Sequence, residues 1–590
     1  MRTKNIILLC ATLFAFTACF DLNKTPEGVL STTGAFTSIG EIQNYVNQFY
    51  ESAVRINEMS AGGGSGICGT DINSDNLASN AAVTRINGGL AKSNASALSA
   101  YNNIRNVNFF LNNLNNYPSP DQSQFKQLVG EGYYFRAWYY YQLFISYGPI
   151  AIVKEPLDPD AEKMKIGRSS RIEVADFIIS DLKTAIENLG EQSSCAGMRI
   201  HKDVARALLS EVALFEGTWE KYHKAAGDAF YDKAVTDAKI KEYLQAAADA
   251  AKAVMDRGVW AISNAGGVNG AYRSIFATTD LGSNKEILWY KKYDGDNVGN
   301  CVDRYLNTGG AGIGVTASLV DDYLTIDGKP FVGDAKENAK KAAYGTELQP
   351  SLRDPRLAQT VAIPGQKIHP NGKTLEFAPL AGDGSAYGTN TTGYTLLKHN
   401  QIDYTGNVEA EYKGATPAIQ FRYADILLNY AEALAEIDGA ANAQAIINAI
   451  QPLRDRVGMP GMDFDREYNT ASDYPFKDLN KYIQAVRRER RIEQAVEGRR
   501  LTDILRWAAA DKVLRGWWPT GARFTGTNLG EKFKDAGIRV NEKGDIVPID
   551  PATAAFNGGY GFKLERDYLL PIQERMISIT EGLWEQNPGW

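Results

Sequence analysis

The most chemically suggestive segment of the chain is a run of charges at Arg487–Trp507, with the sequence RRERRIEQAVEGRRLTDILRW. Glu489, Glu493 and Glu497 recur every four residues, and on a helix this spacing puts three carboxylates on one face beside the neighbouring arginines. Paired carboxylates can act as general acid and base, so an active site is one interpretation. We favour the other, an ion-paired helix that orders the scaffold, because charge-assisted arginine–carboxylate pairs hold structure well.

Other catalytic and metal-binding signatures are weak. Glycoside hydrolysis needs two carboxylates about 5–10 Å apart, and none of the 70 acidic residues sits in a recognisable catalytic motif. The four histidines form neither HxH nor HExxH, and no nucleophile elbow, phosphate-binding loop or dinucleotide motif has its strand–helix context. The loop DINSDN at Asp71–Asn76 has oxygen ligands that suit calcium, but it lacks the glycine and closing glutamate of an EF-hand. Calcium stays an alternative, and we expect no cofactor, no metal and no catalytic residue.

Side chains suited to binding a sugar occur in two loop regions, one at 71–87 and one at 290–305 after a strand-like segment. A pyranose stacks its apolar face on an aromatic ring and offers hydroxyls to a few placed polar groups. Trp289 points either to such a ligand or, with its strand, into the core. The predicted ligand contacts are Asp71, Asn73, Asn76, Arg85, Trp289, Tyr290, Tyr293, Asp294, Asn297, Asn300 and Tyr305. Further candidates in other loops are Trp517, Trp518 and Tyr387.

The elements that must position these loops are mostly helices. Between 266 and 416 the chain is rich in glycine, with strand-like runs at Glu286–Tyr290 and Tyr394–Leu397. Helix pairs of about 35–45 residues with small residues at their contacts suggest degenerate tetratricopeptide-like repeats. The predicted fold class is therefore mainly α, with long loop excursions and a few short strands. Helical spacing of apolar residues predicts helices from near Ile42 and at Leu98–Tyr117, Phe125–Tyr147, Arg171–Leu189, Lys202–Gly217, Lys241–Gly258, Tyr423–Ile437, Ala441–Val457 and Lys481–Trp507.

The first residues have the pattern of an export signal. A basic start at Met1–Lys4 precedes an apolar run and then small residues before Cys19, which is typical of a secretory signal peptide over 1–18. The apolar run is shorter than the roughly 20 residues that a membrane helix needs. A cysteine in this place is typical of a bacterial lipobox, so we expect Cys19 to be acylated and residues 19–30 to form a tether. The alternative is a plain secreted protein.

Composition restricts the class of partner. The chain has 590 residues, of which 44% are hydrophobic and 23% charged, with a formal net charge of −7. These proportions are ordinary for a folded protein. The acidic balance argues against nucleic acid as a partner and against electrostatic docking on anionic lipid. Beyond the signal and the lipobox, Cys68, Cys195 and Cys301 are an odd number from which no disulfide framework can be read.

Several distinctive segments occur in order over essentially the whole chain. They are GEGYYFRAWYYYQLFISYGPIAIV at Gly130–Val153, NKEILWYKKY at Asn284–Tyr293, RDPRL, FRYADILLNYAEALAE, Arg487–Trp507, and the terminal YLLPI and WEQNPGW. Together they resemble the SusD/RagB family of outer-membrane lipoproteins: the first is similar to the signature helix of that family, the second to its central strand, and Arg487–Trp507 is the most specific match. Gln573 and Trp590 depart from the pattern, in which proline and tyrosine are usual.

The resemblance implies a right-handed superhelix of tetratricopeptide-like helix pairs in a single domain over 31–590. We expect an N-terminal helical part over about 31–265 and a loop-rich and C-terminal helical part over about 266–590. It implies a lipid-anchored protein on the outer face of the outer membrane, which binds oligosaccharides and passes them to a TonB-dependent, SusC-like transporter barrel. It supports both loop regions as ligand sites without aligning single residues. Two alternatives stay open: the same architecture binding oligopeptides, and a secreted glycoside hydrolase that uses the loop acids.

Overall fold

The computed structural model describes residues 36–590 except 65, 96–97, 119–120, 122, 158–164, 196–197, 382–387, 554–555 and 557. The expected signal peptide, the acylated Cys19 and the tether lie outside the described residues, as does Tyr387. Along the described residues, no helix combines the length and the apolar character that crossing a bilayer requires.

Helices dominate the described part of the chain, and the strands are short. β1 (Leu77–Ser79) pairs antiparallel with β3 (Ile313–Val315), and β2 (Ile287–Lys291) pairs antiparallel with β4 (Ala418–Arg422). The α-helices in chain order are α1 Ile39–Ala53, α2 Ala100–Asn113, α3 Lys126–Tyr147, α4 Arg171–Asn188, α5 Lys202–Ala226, α6 Asp237–Met255, α7 Ala271–Ala277, α8 Val302–Leu306, α9 Ala317–Asp322, α10 Gly333–Lys341, α11 Leu357–Thr360, α12 Tyr423–Asp438, α13 Ala443–Asp455, α14 Lys481–Glu493, α15 Arg500–Arg506, α16 Ala510–Val513, α17 Asn528–Lys532 and α18 Glu574–Ile579.

The long helices pack on one another in chain order. α2 packs on α3, α3 on α4, α4 on α5 and α5 on α6, and the series continues from α6 to α12 and from α12 to α13. Local sequence sets the helix starts: Ser170 accepts a hydrogen bond from the Glu173 N–H, and the Glu173 side chain accepts one in return, which is a capping box. This stack of helix pairs is a tetratricopeptide-like fold, and it confirms the predicted fold class.

Glycine allows the helices to approach closely at two of these contacts. A Cβ added to Gly217 of α5 would lie 2.9 Å from the Leu244 side chain of α6, and one added to Gly132 of α3 would lie 2.6 Å from the Phe110 ring of α2. Phe110 is fully buried in an aromatic cluster. The close approach lets the stacked helices share one continuous apolar core.

Three predicted elements are wrong. The helix predicted at Lys202–Gly217 continues to Ala226. The helix predicted at Lys481–Trp507 stops at Glu493 and resumes at Arg500, because Val496 and Gly498 take positive φ angles of 62° and 71°, which a right-handed helix excludes. The strand-like run at 394–397 forms only an isolated bridge from Leu396 to Val361.

Candidate functional site

The carboxylates of α14 meet arginines from distant segments inside the protein. Glu493 pairs with Arg422 at 2.7 Å and with Arg356 at 3.0 Å, and at most 1% of each side chain is exposed. Burial alone would raise the pKa of Glu493. The pKa nevertheless lies well below its ordinary value, because the carboxylate faces Arg456, Arg422 and Arg356. Glu489 pairs in the same way with Arg356 at 2.6 Å. The carboxylates are enclosed and ion-paired, which confirms the predicted ion pairing of this segment. That these pairs order the scaffold stays a prediction.

The early loop, predicted to face a ligand, is folded against this ion-paired helix. Asp71 is buried, and its Oδ2 accepts hydrogen bonds from the Val496 N–H at 2.7 Å and from Asn76 Nδ2 at 2.9 Å. Burial raises the pKa of Asp71 to about 6. The Asp75 carboxylate faces Arg491 at 2.8 Å. Nowhere in the described ranges do three or more His, Cys, Asp or Glu side chains form a group that suits a metal ion.

Three aromatic rings at or near the start of the second predicted region lie in the core. Trp289, Tyr290 and Tyr293 are each no more than 5% exposed. Trp289 Nε1 donates to the Met198 carbonyl at 2.8 Å, so this ring takes the inward orientation that its strand allowed. Tyr293 Oη accepts from the Asn57 N–H at 3.2 Å. These rings present no open face to a sugar in this conformation.

The two predicted loop regions lie side by side, but most of their polar groups are used internally. Asn57 links the second region to the segment just before the first, because its N–H donates to Tyr293 and its side-chain carbonyl accepts from the Cys68 N–H at 3.3 Å. Asn300 is buried and donates to the Thr416 carbonyl at 2.7 Å. Three other predicted contacts are half-buried, namely Asn73, Arg85 and Tyr305. Two are exposed, namely Asp294 and Asn297. Whether any of these side chains contacts a ligand stays a prediction.

An open cleft of about 810 Å³ lies beside α14, within the size range of known ligand pockets. Its walls come from the end of α9, from α10, from Arg488 and Arg491 of α14, and from loops at 469–476, 517–520 and 541–545. We call it the aromatic cleft and define it by Asp321, Asp322, Lys336, Lys340, Tyr474, Arg488, Arg491, Trp517, Trp518 and Asn541.

Half-buried aromatic rings on the wall of the aromatic cleft are held from behind by other rings. Trp517 stacks on Tyr560 with ring centroids 5.5 Å apart, and Trp518 meets Phe556 edge-on at 4.8 Å. Tyr474 lines the same cleft and is also half-buried. Such rings are fixed in orientation while part of each surface stays open, which suits stacking against an apolar ligand face.

The polar groups of the aromatic cleft come as ion pairs. Asp321 lies 2.9 Å from Lys340, and Asp322 lies 3.0 Å from Arg491. Burial alone would raise the pKa of Asp321. The pKa is nevertheless lowered, because the carboxylate faces Lys340 and Lys336. The Oδ1 atom of Asp322 is buried and accepts no hydrogen bond from the described part of the chain. The cleft therefore offers a fixed set of charges and, at Asp322 Oδ1, an acceptor that has no donor among the described residues.

Sequence reasoning found only part of this cleft. Trp517 and Trp518 were candidates because two adjacent tryptophans occur in a loop, whereas Tyr474, Asp322 and Lys340 gave no signal. These three residues come from different loops and helices, and only the fold brings them to one surface. The informative sign was the pair of large apolar side chains in a polar, irregular stretch.

The chain is a tetratricopeptide-like helical scaffold that carries an open cleft beside α14. A sequence profile described as the SusD family matches residues 285–590, and a second, described as starch-binding associating with outer membrane, matches residues 23–214. The chain belongs to the SusD family.

The similarity to known relatives extends over all or nearly all of the chain. The SusD-like protein P2 of Formosa agariphila is 22% identical over 604 aligned positions, covering 100% of both chains. The crystal structure of a SusD-like carbohydrate binding protein from Bacteroides fragilis is 21% identical, with a TM-score of 0.71 over 93% of this chain and 99% of its own. A structure named laminarin binding SusD-like protein is 20% identical, with a TM-score of 0.53 over 94% of this chain and 100% of its own. At these identities the structures establish the fold.

Proposed function

We propose that this chain is a non-catalytic, cell-surface glycan-binding protein that captures oligosaccharides in the aromatic cleft. The observation that carries the proposal is the juxtaposition of the half-exposed rings of Trp517, Trp518 and Tyr474 with fixed polar side chains in a cleft of about 810 Å³. Rings of this kind stack on the C–H face of a pyranose, and the polar groups pair with its hydroxyls. Membership of the SusD family, with its carbohydrate-binding relatives, supports a glycan over other ligands.

Capture rather than hydrolysis fits the electrostatics of the cleft. A general acid needs a raised pKa near the working pH, whereas the pKa values of Asp75, Asp321 and Glu337 are lowered by their cationic partners in spite of burial. These carboxyls are held ionised and paired. They can accept hydrogen bonds from hydroxyls, but they are poorly placed to donate a proton to a glycosidic oxygen.

The proposal extends to location and transfer. A signal peptide followed by an acylated Cys19 would tether the protein to the outer membrane, facing outward, without a spanning helix. The profile described as associating with outer membrane supports that placement. From there the protein would deliver its glycan to a TonB-dependent transporter barrel, which requires that the ligand also be released. We therefore expect weak to moderate affinity.

Calorimetric titration of the chain from Asp21 onward with laminarin, starch, other polysaccharides and oligopeptides tests the proposal. We expect saturable heat with an intact glycan and at least a tenfold loss of affinity, or about 1.4 kcal/mol, in Trp518→Ala. Tyr412→Ala is the matched control, because this ring is 61% exposed and does not line the cleft. Asn297→Ala reports on the loop surface predicted from sequence.

Each outcome separates one alternative. Loss of binding in Asn297→Ala but not in Trp518→Ala would move the site to the loop surface. Saturable heat of binding with oligopeptides, and with none of the polysaccharides, would favour the peptide-binding alternative. Shortened glycan recovered after titration would refute the non-catalytic assignment.

A further inference from the structure

We infer that the aromatic cleft selects neutral oligosaccharides and rejects carboxylated or sulfated ones. This inference rests on the proposed function, since it concerns the ligand class of the same cleft. It follows from how the charges of the cleft wall are balanced, paired and oriented.

The wall of the cleft has no excess of positive charge. Seven acidic and six basic residues line it. A site built for a polyanion carries clustered, uncompensated arginine or lysine, because its affinity comes from neutralising the ligand. The cleft instead has the balance expected where hydroxyls, rather than charges, are recognised.

The cations on the floor of the cleft already have acidic partners. Arg491 lies 2.8 Å from Asp75 and 3.0 Å from Asp322, and Lys340 lies 2.9 Å from Asp321. Arg491 and Lys340 are each 5% exposed, and of their partners Asp75 and Asp322 are buried while Asp321 is 25% exposed. A sulfate or carboxylate could recruit these cations only by displacing a carboxylate that already pairs with them, which is unfavourable where the pair is buried.

Arg488 and Lys336 are similarly occupied. Arg488 donates to the Glu467 carbonyl at 2.8 Å and to Gln484 at 2.9 Å. Lys336 lies 3.6 Å from both Asp321 and Asp473. Among the described residues, each cation deep in the cleft therefore already has an acceptor within the protein, and none is available to an anionic ligand group.

The remaining basic residues lie at the solvent edge. Lys512 and Lys543 are both exposed, Lys512 lies 3.4 Å from Asp511, and Lys543 follows the acidic Glu542 in the chain. Exposed charges of this kind are solvated and screened by salt, so they contribute little to a specific site.

One buried acceptor points to the ligand chemistry directly. The Asp322 side chain is 5% exposed, and its Oδ1 has no hydrogen-bond donor within the described structure; Arg488 Nε is 3.8 Å away, too far for a hydrogen bond. A buried carboxylate oxygen without a donor is unfavourable, and a ligand that supplies one is favoured. Because this oxygen is itself buried, a ligand reaches it only by displacing part of the cleft wall; a sugar hydroxyl would then donate a hydrogen bond to it, whereas a sulfate or carboxylate oxygen would be repelled.

Matched pairs of neutral and sulfated polysaccharides test the inference: laminarin with sulfated laminarin, and dextran with dextran sulfate, on the wild type and Trp518→Ala. We expect a neutral member to bind, its sulfated derivative to bind at least tenfold more weakly, and the neutral affinity to change less than twofold between 50 and about 500 mM NaCl, because binding without charge neutralisation releases few counterions. Trp518→Ala should weaken the neutral ligand at least tenfold.

One variant sharpens the result. Asp322→Asn, checked for folding by circular dichroism, should weaken the neutral ligand and relax the rejection of its sulfated derivative. The inference is overturned, with the proposed function intact, if a sulfated member binds as tightly as its parent, is lost in Trp518→Ala and weakens steeply with salt. If Trp518→Ala changes no binding at all, the cleft is not the glycan site and the inference falls with that assignment.

Discussion

Replacing Glu493 by glutamine removes one charge from the centre of the buried ion network and leaves the side-chain shape almost unchanged. Glu493 sits among Arg422, Arg456 and Arg356, and none of these four side chains is more than 1% exposed. The substitution leaves excess positive charge among buried side chains, so we expect the free energy of unfolding to fall.

The loss of unfolding free energy in Glu493→Gln is limited by the acidic partners that the three arginines keep. Arg422 and Arg456 keep Glu286 at 3.1 and 3.2 Å. Arg356 keeps Asp354 at 2.7 Å. Because no arginine is left alone, we expect one broken buried pair, or about 3–5 kcal/mol, rather than three. With an unfolding entropy of about 2.1 cal/mol/K per residue, the chain as one cooperative unit has roughly 1.2 kcal/mol/K, so Tm should fall by about 2.5–4 °C.

Differential scanning calorimetry at neutral pH measures this shift. Glu242→Gln is the matched control, because Glu242 pairs with Lys239 at 3.0 Å on the surface and is 67% exposed. An exposed pair contributes about 0–1 kcal/mol, so the control should move Tm by less than about 1 °C. If Glu493→Gln shifts Tm no more than this control, the buried network is not what orders the α14 segment.

Two further predictions concern the helical half of the chain. Burial and the neighbouring Glu216 carboxylate raise the pKa of Glu220 to about 9. The Glu220 carboxyl therefore binds its proton more tightly in the folded state than in the unfolded state. The associated stability is therefore complete below the ordinary glutamate pKa of 4.5 and is lost as pH rises through about 9. In calorimetry between pH 6 and 9, the wild-type Tm should decline more steeply than that of Glu220→Gln, and parallel declines would contradict this linkage. Gly132→Ala adds a Cβ 2.6 Å from the buried Phe110 ring, and the overpacking, about 1–3 kcal/mol, should exceed the helix-propensity gain of about 0.5–1 kcal/mol. Gly40→Ala in α1, with its nearest neighbour 4.0 Å away, should instead be neutral or stabilising in urea unfolding, and equal behaviour of the two variants would refute the close contact.

The helices were predictable because their signals are local. Apolar spacing and a capping serine placed α3 and α4 within a residue or two of their observed ends. The break after Glu493 was not predictable, because Val496 is held at positive φ by a tertiary contact, its N–H donating to Asp71. No local pattern reports a hydrogen bond across 425 residues.

The candidate site was harder to predict, because residue type does not reveal exposure. Tyrosine and tryptophan at 289–293 have the same chemistry as Trp517 and Trp518, yet the first group is buried and the second lines the aromatic cleft. Asp71 and Asn76 likewise have sugar-binding side chains, but they hydrogen-bond to each other. Packing between distant segments decides which of such groups remain available to a ligand.

The most direct test of the glycan-binding cleft is a crystal structure of the chain with the neutral oligosaccharide that binds most tightly in titration. We expect a sugar ring against Trp518, with a hydroxyl within hydrogen-bond distance of Asp322 Oδ1. Ordered sugar over the exposed loop at Asp294–Asn297, with the aromatic cleft empty, would contradict the central claim.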